Sequence, residues 1–395
     1  MNQEINQENE IFSYRLAPKI YFKRGAFEVA ITDLKEYKSA LILTDKTIEN
    51  LGYSLEVQEA LEDLGLNVKV FGAINEAPSL ENMDILLKLA QSFTPQIILA
   101  FGGGAVIDSA KTLAFLYANP KAVLTKLDKN NDYKKKAYLI CMPTTSGPGC
   151  EATDNIVVKT TENKKITLTH HAFMPDMVII DPEWTYSLPP SLVAQGGFNA
   201  LANALEAFLS PKASQFSNGF ALEAVRLIYK YLKLSYEDAN HVIAREKMHY
   251  SATLSGMASS NSSLGLTYDL AWRLNNAFQI PLGIACAQLL KPIIKFNLGD
   301  KKVFRRACHI FDYVFKEDST LPDEKKIKKL LSSIDDLKKS VNIPANLKEC
   351  GISSKNFNNK LEELCQELNA EQSTHAAIKP TKEQIKQLLL EAFEG

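Results

Sequence analysis

Three consecutive glycines, Gly102-Gly103-Gly104, lead into Ala105-Val106-Ile107-Asp108-Ser109-Ala110-Lys111 directly after the apolar stretch Ile97 to Phe101. Glycines at such a turn let the backbone come close to an anion, and the first turn of a following helix aims free N–H groups and a positive dipole end at it. The chemistry on offer is the cradling of a phosphate. Two further segments carry matching groups. Thr44-Asp45-Lys46 brings a carboxylate, and Pro143-Thr144-Thr145-Ser146-Gly147-Pro148-Gly149 brings hydroxyls and backbone amides suited to phosphate or ribose. At a strand end, Asp45 accepts hydrogen bonds from a ribose diol and repels a 2′-phosphate, which points to NAD over NADP. The same residue also reads as an ordinary helix N-cap. The glycine run by itself reads as a tight strand-to-helix turn, and only the three segments together make a nucleotide site.

Those segments need a scaffold that gathers them at one edge. The short apolar runs Ala40 to Leu43, Val68 to Phe71, Ile97 to Phe101, Tyr138 to Met142 and Met177 to Ile180 suit buried parallel strands. Leu55 to Leu64 and Leu80 to Phe93 carry helical spacing between them, the rhythm of an open parallel sheet covered on both faces. In such a sheet, ligands gather at the C-terminal ends of the strands, where all three segments fall. After Asp181-Pro182 long helical periods take over: Ser191 to Leu209, Ser217 to Leu234, Val242 to Met257, Leu264 to Ala277 and Thr381 to Phe393. Pro182, Pro189 and Pro190 disfavour regular structure and mark a boundary. The expected fold is α/β plus all-α, with a dinucleotide-binding domain over 1–185 and a helical domain over 186–395.

At 395 residues the chain is long enough for two cores. Its 45 basic and 46 acidic residues nearly cancel, giving no electrostatic reason to expect nucleic acid or an anionic membrane as partner. Lys134 to Lys136 and Lys325 to Lys329 read as solvated surface. No apolar stretch approaches the roughly 18 residues that span a bilayer, and the polar, acidic start Met1 to Glu10 is unlike a signal sequence. The six cysteines show no CxxC pairing, so a reducing cytoplasm, with the thiols as small apolar fillers, is expected.

Several motifs in order, Leu16 to Gly25, the GGGxxxDxAK segment at 102 to 111, Pro143 to Thr153, Phe296-Asn297 and the ending Lys379 to Gly395, resemble the iron-containing alcohol dehydrogenase family. The likeness is strongest to the C-terminal dehydrogenase portion of bifunctional aldehyde-alcohol dehydrogenases. It implies a two-domain subunit with NAD(P) and a divalent metal in the cleft, interconverting small alcohols with aldehydes or ketones. It places Asp45 at the adenosine ribose, Gly102, Gly103, Gly104 and Asp108 at the pyrophosphate, Thr144 and Thr145 at further cofactor groups, and Lys165 at a cofactor-contacting lysine. Ala105, Pro148 and Cys150 depart from the usual small polar residues.

The metal motifs depart much further. Where the family has DAxxHAxEA, this chain reads Asn199-Ala200-Leu201-Ala202-Asn203-Ala204-Leu205-Glu206-Ala207. Where the family has GLxHxxAHxLG and then PHG, it reads Gly265 to Asn275 and then Pro281-Leu282-Gly283, with Tyr268 and Leu282 at ligand positions and Trp272 in place of a further histidine. None of the six histidines, His170, His171, His241, His249, His309 and His375, lies between Tyr250 and Cys308. Neutral amides, leucine and a neutral tyrosine are poor ligands for Fe²⁺ or Zn²⁺, so no tightly bound metal is expected.

Three functions follow. The first is a metal-independent NAD(H)-linked oxidoreductase with Tyr268 as general acid, although a tyrosine filling vacated space is the bland alternative. The second is an NAD-binding pseudoenzyme that scaffolds or regulates an active homologue, and the family's habit of association suggests a homodimer or a heteromer. The third is a metal-dependent dehydrogenase whose ligands have moved to Glu206, Asp269 or His170-His171.

Overall fold

The computed structural model describes residues 14–128, 131–160, 165–262, 264–366 and 377–395. The acidic start Met1 to Glu10, His375 and Lys164 lie outside the described residues.

Among the described residues eight strands precede the long helices: β1 (Lys19–Phe22), β2 (Ser39–Leu43), β3 (Asn67–Phe71), β4 (Ile97–Gly102), β5 (Tyr138–Pro143), β6 (Asn155–Lys159), β7 (Lys165–Thr169) and β8 (Met177–Ile180). Six form one parallel sheet in the order β1-β8-β5-β4-β2-β3, while β6 and β7 pair antiparallel as a separate hairpin. The central strand β4 is buried throughout, as expected of a continuous apolar run covered on both faces. Ile97, Leu99 and Phe101 join the core on one face, and Ile98 and Ala100 the core on the other. Strand β1 was not expected from the sequence. It lies at the sheet edge with Lys19 and Phe22 exposed, so it lacks the apolar signal of its neighbours.

Among the described residues five helices belong to this half: α1 (Ala26–Ala30), α2 (Lys46–Asn50), α3 (Tyr53–Asp63), α4 (Leu80–Phe93) and α5 (Gly104–Ala118). The chain runs from β2 outward to β3 and then back across to β4, so strand order reverses between β2 and β4. That reversal opens a crevice at their C-terminal ends, where ligands of open parallel sheets bind. The segment after β2, the glycines after β4 and the loop after β5 all meet there.

Nine helices follow among the described residues: α6 (Pro190–Leu209), α7 (Gln215–Glu237), α8 (Val242–Ser260), α9 (Leu266–Phe278), α10 (Leu282–Asn297), α11 (Lys301–Val314), α12 (Asp323–Ser340), α13 (Ser354–Leu364) and α14 (Lys382–Glu394). Their apolar faces share one core centred on α6 and α10. The boundary prolines start structure rather than break it. Pro182 opens a 3₁₀ turn and Pro190 is the first residue of α6, where a missing N–H costs nothing. One expected surface lysine is also corrected: Lys326 is buried on α12 and pairs with Asp312 at 2.8 Å, while Lys325, Lys328 and Lys329 are exposed. Among the described residues, no helix is long and apolar enough to cross a membrane.

Candidate functional site

Gly103 is the N-cap of α5, its carbonyl accepting from the amides of Val106 and Ile107. A side chain on Gly102 would come within 2.7 Å of Val106, and one on Gly103 within 3.4 Å of Thr145. The turn therefore stays open at its glycines, with the first-turn amides of α5 directed into the crevice. Thr144 N–H donates to the Gly102 carbonyl at 3.1 Å, and Thr44 Oγ1 to that of Phe101 at 2.7 Å, so all three strand ends are tied together. Asp45 is the N-cap of α2, where its Oδ1 accepts from the amides of Thr47 and Ile48. Its capping reading is thus realised, and both cap bonds fall on a single oxygen.

Behind the turn lie two buried ionisable residues, Asp108 and Lys111. Asp108 is enclosed on α5, and burial pushes its carboxyl up to about 7 against the opposing pull of Lys111 and a bond from the Val157 backbone. Lys111, fully enclosed, reaches the carbonyls of Cys150 and Thr153 at 2.6 Å each and that of Asn155 at 3.1 Å. It thereby fastens the loop after β5 to the helix that follows the glycines. Sequence reading treated Lys111 only as part of a motif, since its partners are backbone atoms with no sequence signature.

The same loop is zipped to α8 on its far side. Ser146 Oγ lies 3.1 Å from Nδ1 of His249, whose burial pushes its pKa down to about 4 and keeps the ring neutral. Thr253 Oγ1 donates to buried Glu151 at 2.6 Å. Gly149 crosses α8 with φ +74°, and a Cβ there would fall 2.2 Å from the Ala252 carbonyl oxygen, so only glycine fits.

The helical half closes over this loop through α6. Asn203 Nδ2 donates to the Pro148 carbonyl at 3.0 Å, and Asn199 precedes it by one turn on the same face. Both side chains are buried, and neither Oδ1 has a hydrogen-bond partner. Three residues beyond Asn203, half-buried Glu206 accepts from the amides of Gly265 at 2.9 Å, Thr267 at 2.6 Å and Tyr268 at 3.3 Å. A carboxylate thus caps α9 from a neighbouring helix, and ties the start of Tyr268's helix to the face of α6 that carries the asparagine pair.

Tyr268 is partly buried, its ring edge-to-face with Trp272 at 6.1 Å. Burial first, and then the surrounding Cys150, Cys286 and Asp108, hold its phenol well above the usual tyrosine range, with Trp272 opposing. Lys165, on β7 of the hairpin, reaches across the cleft to Asn275 Oδ1 at 3.3 Å and lies 5.4 Å from the Trp272 ring centre. Burial, and then Lys159, lower its pKa. Sequence reading missed this hairpin, and with it how Lys165 arrives at α9.

The four positions where the resemblance puts metal ligands therefore carry two neutral amides, a protonated phenol and the aliphatic Leu282. Among the described residues, no three His, Cys, Asp or Glu side chains stand together in a way that could hold a metal ion. The suggested replacement ligands are not brought together. Glu206 is engaged by three amides, and Asp269 pairs with Arg273 at 2.9 Å. His170 packs edge-on against Tyr133 and Phe173 beside the hairpin. The residues present do not fit a catalytic metal, whereas the glycine turn and its neighbours do fit a dinucleotide phosphate.

Comparison with known proteins agrees with this architecture half by half. Residues 17–182 match the family model of iron-containing alcohol dehydrogenase, and residues 193–393 match that of the Fe-containing alcohol dehydrogenase family, C-terminal. The aldehyde-alcohol dehydrogenase of Clostridium acetobutylicum is 34% identical over 417 residues, which covers 98% of this chain and 48% of that protein. The bifunctional aldehyde-alcohol dehydrogenase of Escherichia coli strain K12 is 32% identical over 411 residues, covering 97% of this chain and 46% of that protein. The chain thus spans about half the length of these two relatives. The solved structure of an iron-containing alcohol dehydrogenase from Thermococcus thioreducens matches with a TM-score of 0.86 at 26% identity, covering 97% of this chain and 100% of the other. With both halves matched and the fold shared along its length, the chain belongs to the iron-containing alcohol dehydrogenase family.

Proposed function

We propose that this chain is an NAD(H)-dependent oxidoreductase that interconverts small aldehydes or ketones with their alcohols without a bound catalytic metal. The observation that carries the reading is the donor set at the seam of α6 and α9, neutral at Asn199, Asn203 and Tyr268, beside an intact glycine cradle. In this reading residues 1–185 hold the cofactor and 186–395 the substrate. Gly102, Gly103, Gly104 and Asp108 lie along its pyrophosphate, Thr144 and Thr145 along its middle, and Lys165 over the cleft. Asp45 meets the adenosine ribose through the oxygen its cap leaves over, which favours NAD above NADP.

When bound, the nicotinamide supplies or accepts the hydride. The chain supplies the proton. Because burial keeps Tyr268 protonated, its hydroxyl donates a hydrogen bond to a carbonyl oxygen and yields the proton as that oxygen becomes an alcohol. The tyrosinate left behind is disfavoured by the same burial, so it takes a proton back from water and the phenol is restored for the next turnover. A metal ion would contribute several kcal/mol of polarisation, and the phenol is the group positioned to replace part of it.

The reading includes a cytoplasmic homodimer. Its test is NADH-dependent reduction of a panel of short aldehydes and ketones by chelator-treated protein, repeated with Fe²⁺ or Zn²⁺, with NADH binding followed in parallel. Turnover indifferent to metal is expected. NADH binding without turnover in either condition would replace the enzyme with an NAD-binding pseudoenzyme, and turnover only with metal would restore a metal-dependent one.

A further inference from the structure

A cavity of about 30 Å³ lies towards the C-terminal end of α6, two turns beyond Asn199, with room for a water-sized occupant. The last turns of α6 and α10 and the first turn of α9 wall it, through Glu206, Leu209, Thr267, Ile293 and Asn297. Three of these side chains bring oxygen. Glu206 is half-buried and already accepts from the amides of Gly265, Thr267 and Tyr268. Thr267 is 1% exposed, and neither its Oγ1 nor the sealed Oδ1 of Asn297 has a hydrogen-bond partner. The Thr267 hydroxyl has the Glu206 carboxylate to turn its proton towards, so the unmet need at both residues is for a partner to their oxygen lone pairs. Buried acceptors left without one are costly and rare.

Charge decides what that partner is. Two helices, α6 and α10, bring their negative C-terminal ends to the cavity beside one carboxylate. Only α9 brings a positive end, and its three amides are engaged with Glu206. Among the described residues no basic side chain lines the cavity, and Arg306, which caps α6 through the Phe208 carbonyl at 2.7 Å, is not part of its wall. We propose that this cavity is a binding site for a monovalent cation, potassium or sodium, held by the side-chain oxygens of Glu206, Thr267 and Asn297. Hard cations take oxygen ligands, and a single carboxylate, partly offset by the start of α9, suits one positive charge rather than the two of Ca²⁺ or Mg²⁺. The ion joins the ends of α6 and α10 to the start of α9, the helix that carries Tyr268. The site is independent of the oxidoreductase reading, since neither cofactor nor substrate enters it.

The test records thermal melts of the chelator-treated protein in potassium, sodium and tetramethylammonium chloride at equal ionic strength. Tetramethylammonium is too large for the cavity and reports the general effect of salt. The melts are run on the wild type, Thr267→Val and Asn297→Leu, each of which removes one oxygen with little change of shape, and circular dichroism verifies folding. Potassium, sodium or both should raise the wild-type melting temperature by about 2 °C over tetramethylammonium, and the rise should saturate with concentration. In either folded variant the rise should shrink at least about twofold, because a ligand is lost and affinity with it. The sodium NMR signal should broaden with wild type and less with the variants. No cation-specific rise in the wild type would overturn the site and leave the cavity to water. A rise undiminished in a folded variant would overturn it too, and one folded variant is enough to decide.

Discussion

The backbone amide of Tyr268 donates to Oε2 of Glu206 at 3.3 Å, so the proposed acid is positioned by a carboxylate from a different helix. Glu206 also takes the amides of Gly265 and Thr267, and its negative charge faces the positive end of α9. Glu206→Gln turns one acceptor oxygen into an N–H donor that faces other donors. The variant should lose about 1–3 kcal/mol of stability. Its kcat should fall while NADH affinity is kept, because the disturbance reaches Tyr268 and not the glycine turn. Thermal melts and steady-state kinetics check both.

Tyr268→Phe removes the hydroxyl and leaves the edge-to-face contact with Trp272. A positioned general acid contributes about 10²-fold or more, so carbonyl reduction should fall by at least that factor with NADH binding unchanged. Unchanged turnover would make the ring a space filler and move the proton source elsewhere.

Asp108 sets a pH dependence of stability. Its folded pKa is raised by burial to about 7 from the ordinary 3.8, and it interacts with the ionisable groups of Lys111, Cys141, Cys150 and Tyr268. A raised carboxyl binds more protons folded than unfolded, so its stabilising share is full below the unfolded value and lost as pH rises through about 7. Asp108→Asn should therefore melt higher than wild type at pH 8, by roughly 1–3 °C, with the gap closing towards pH 5. Melting curves of both proteins across that range check it.

Gly149→Ala forces a Cβ to within 2.2 Å of the Ala252 carbonyl at a φ of +74°. The loop after β5 must then lift from α8, at a cost of roughly 2–4 kcal/mol. NADH binding should weaken as well, because Lys111 holds that loop to the helix that begins at the glycines. Thermal melts and NADH titration measure the two effects separately.

The sequence by itself determined five of the six strands of the parallel sheet, the long helices from Ser191 to Ala277 and the closing helix. Their apolar periods are set by burial on both faces of the sheet or on one face of a helix, and each was found within a few residues of its expected place. It also determined residue chemistry at the family's metal positions, because identity needs no coordinates. Tertiary structure alone decided what the charged and polar residues do there. Glu206 could have been a ligand until its three amides appeared, and Lys111 was one lysine in a motif until its carbonyl partners enclosed it. Lys165 reaches α9 only because a hairpin with weak apolar signal carries it across the cleft. Those roles come from backbone atoms remote in the chain, and a backbone amide or carbonyl is the same in every residue that offers one. Periodicity records which side of an element is buried, while the partner that meets a polar group is settled only when separate elements pack.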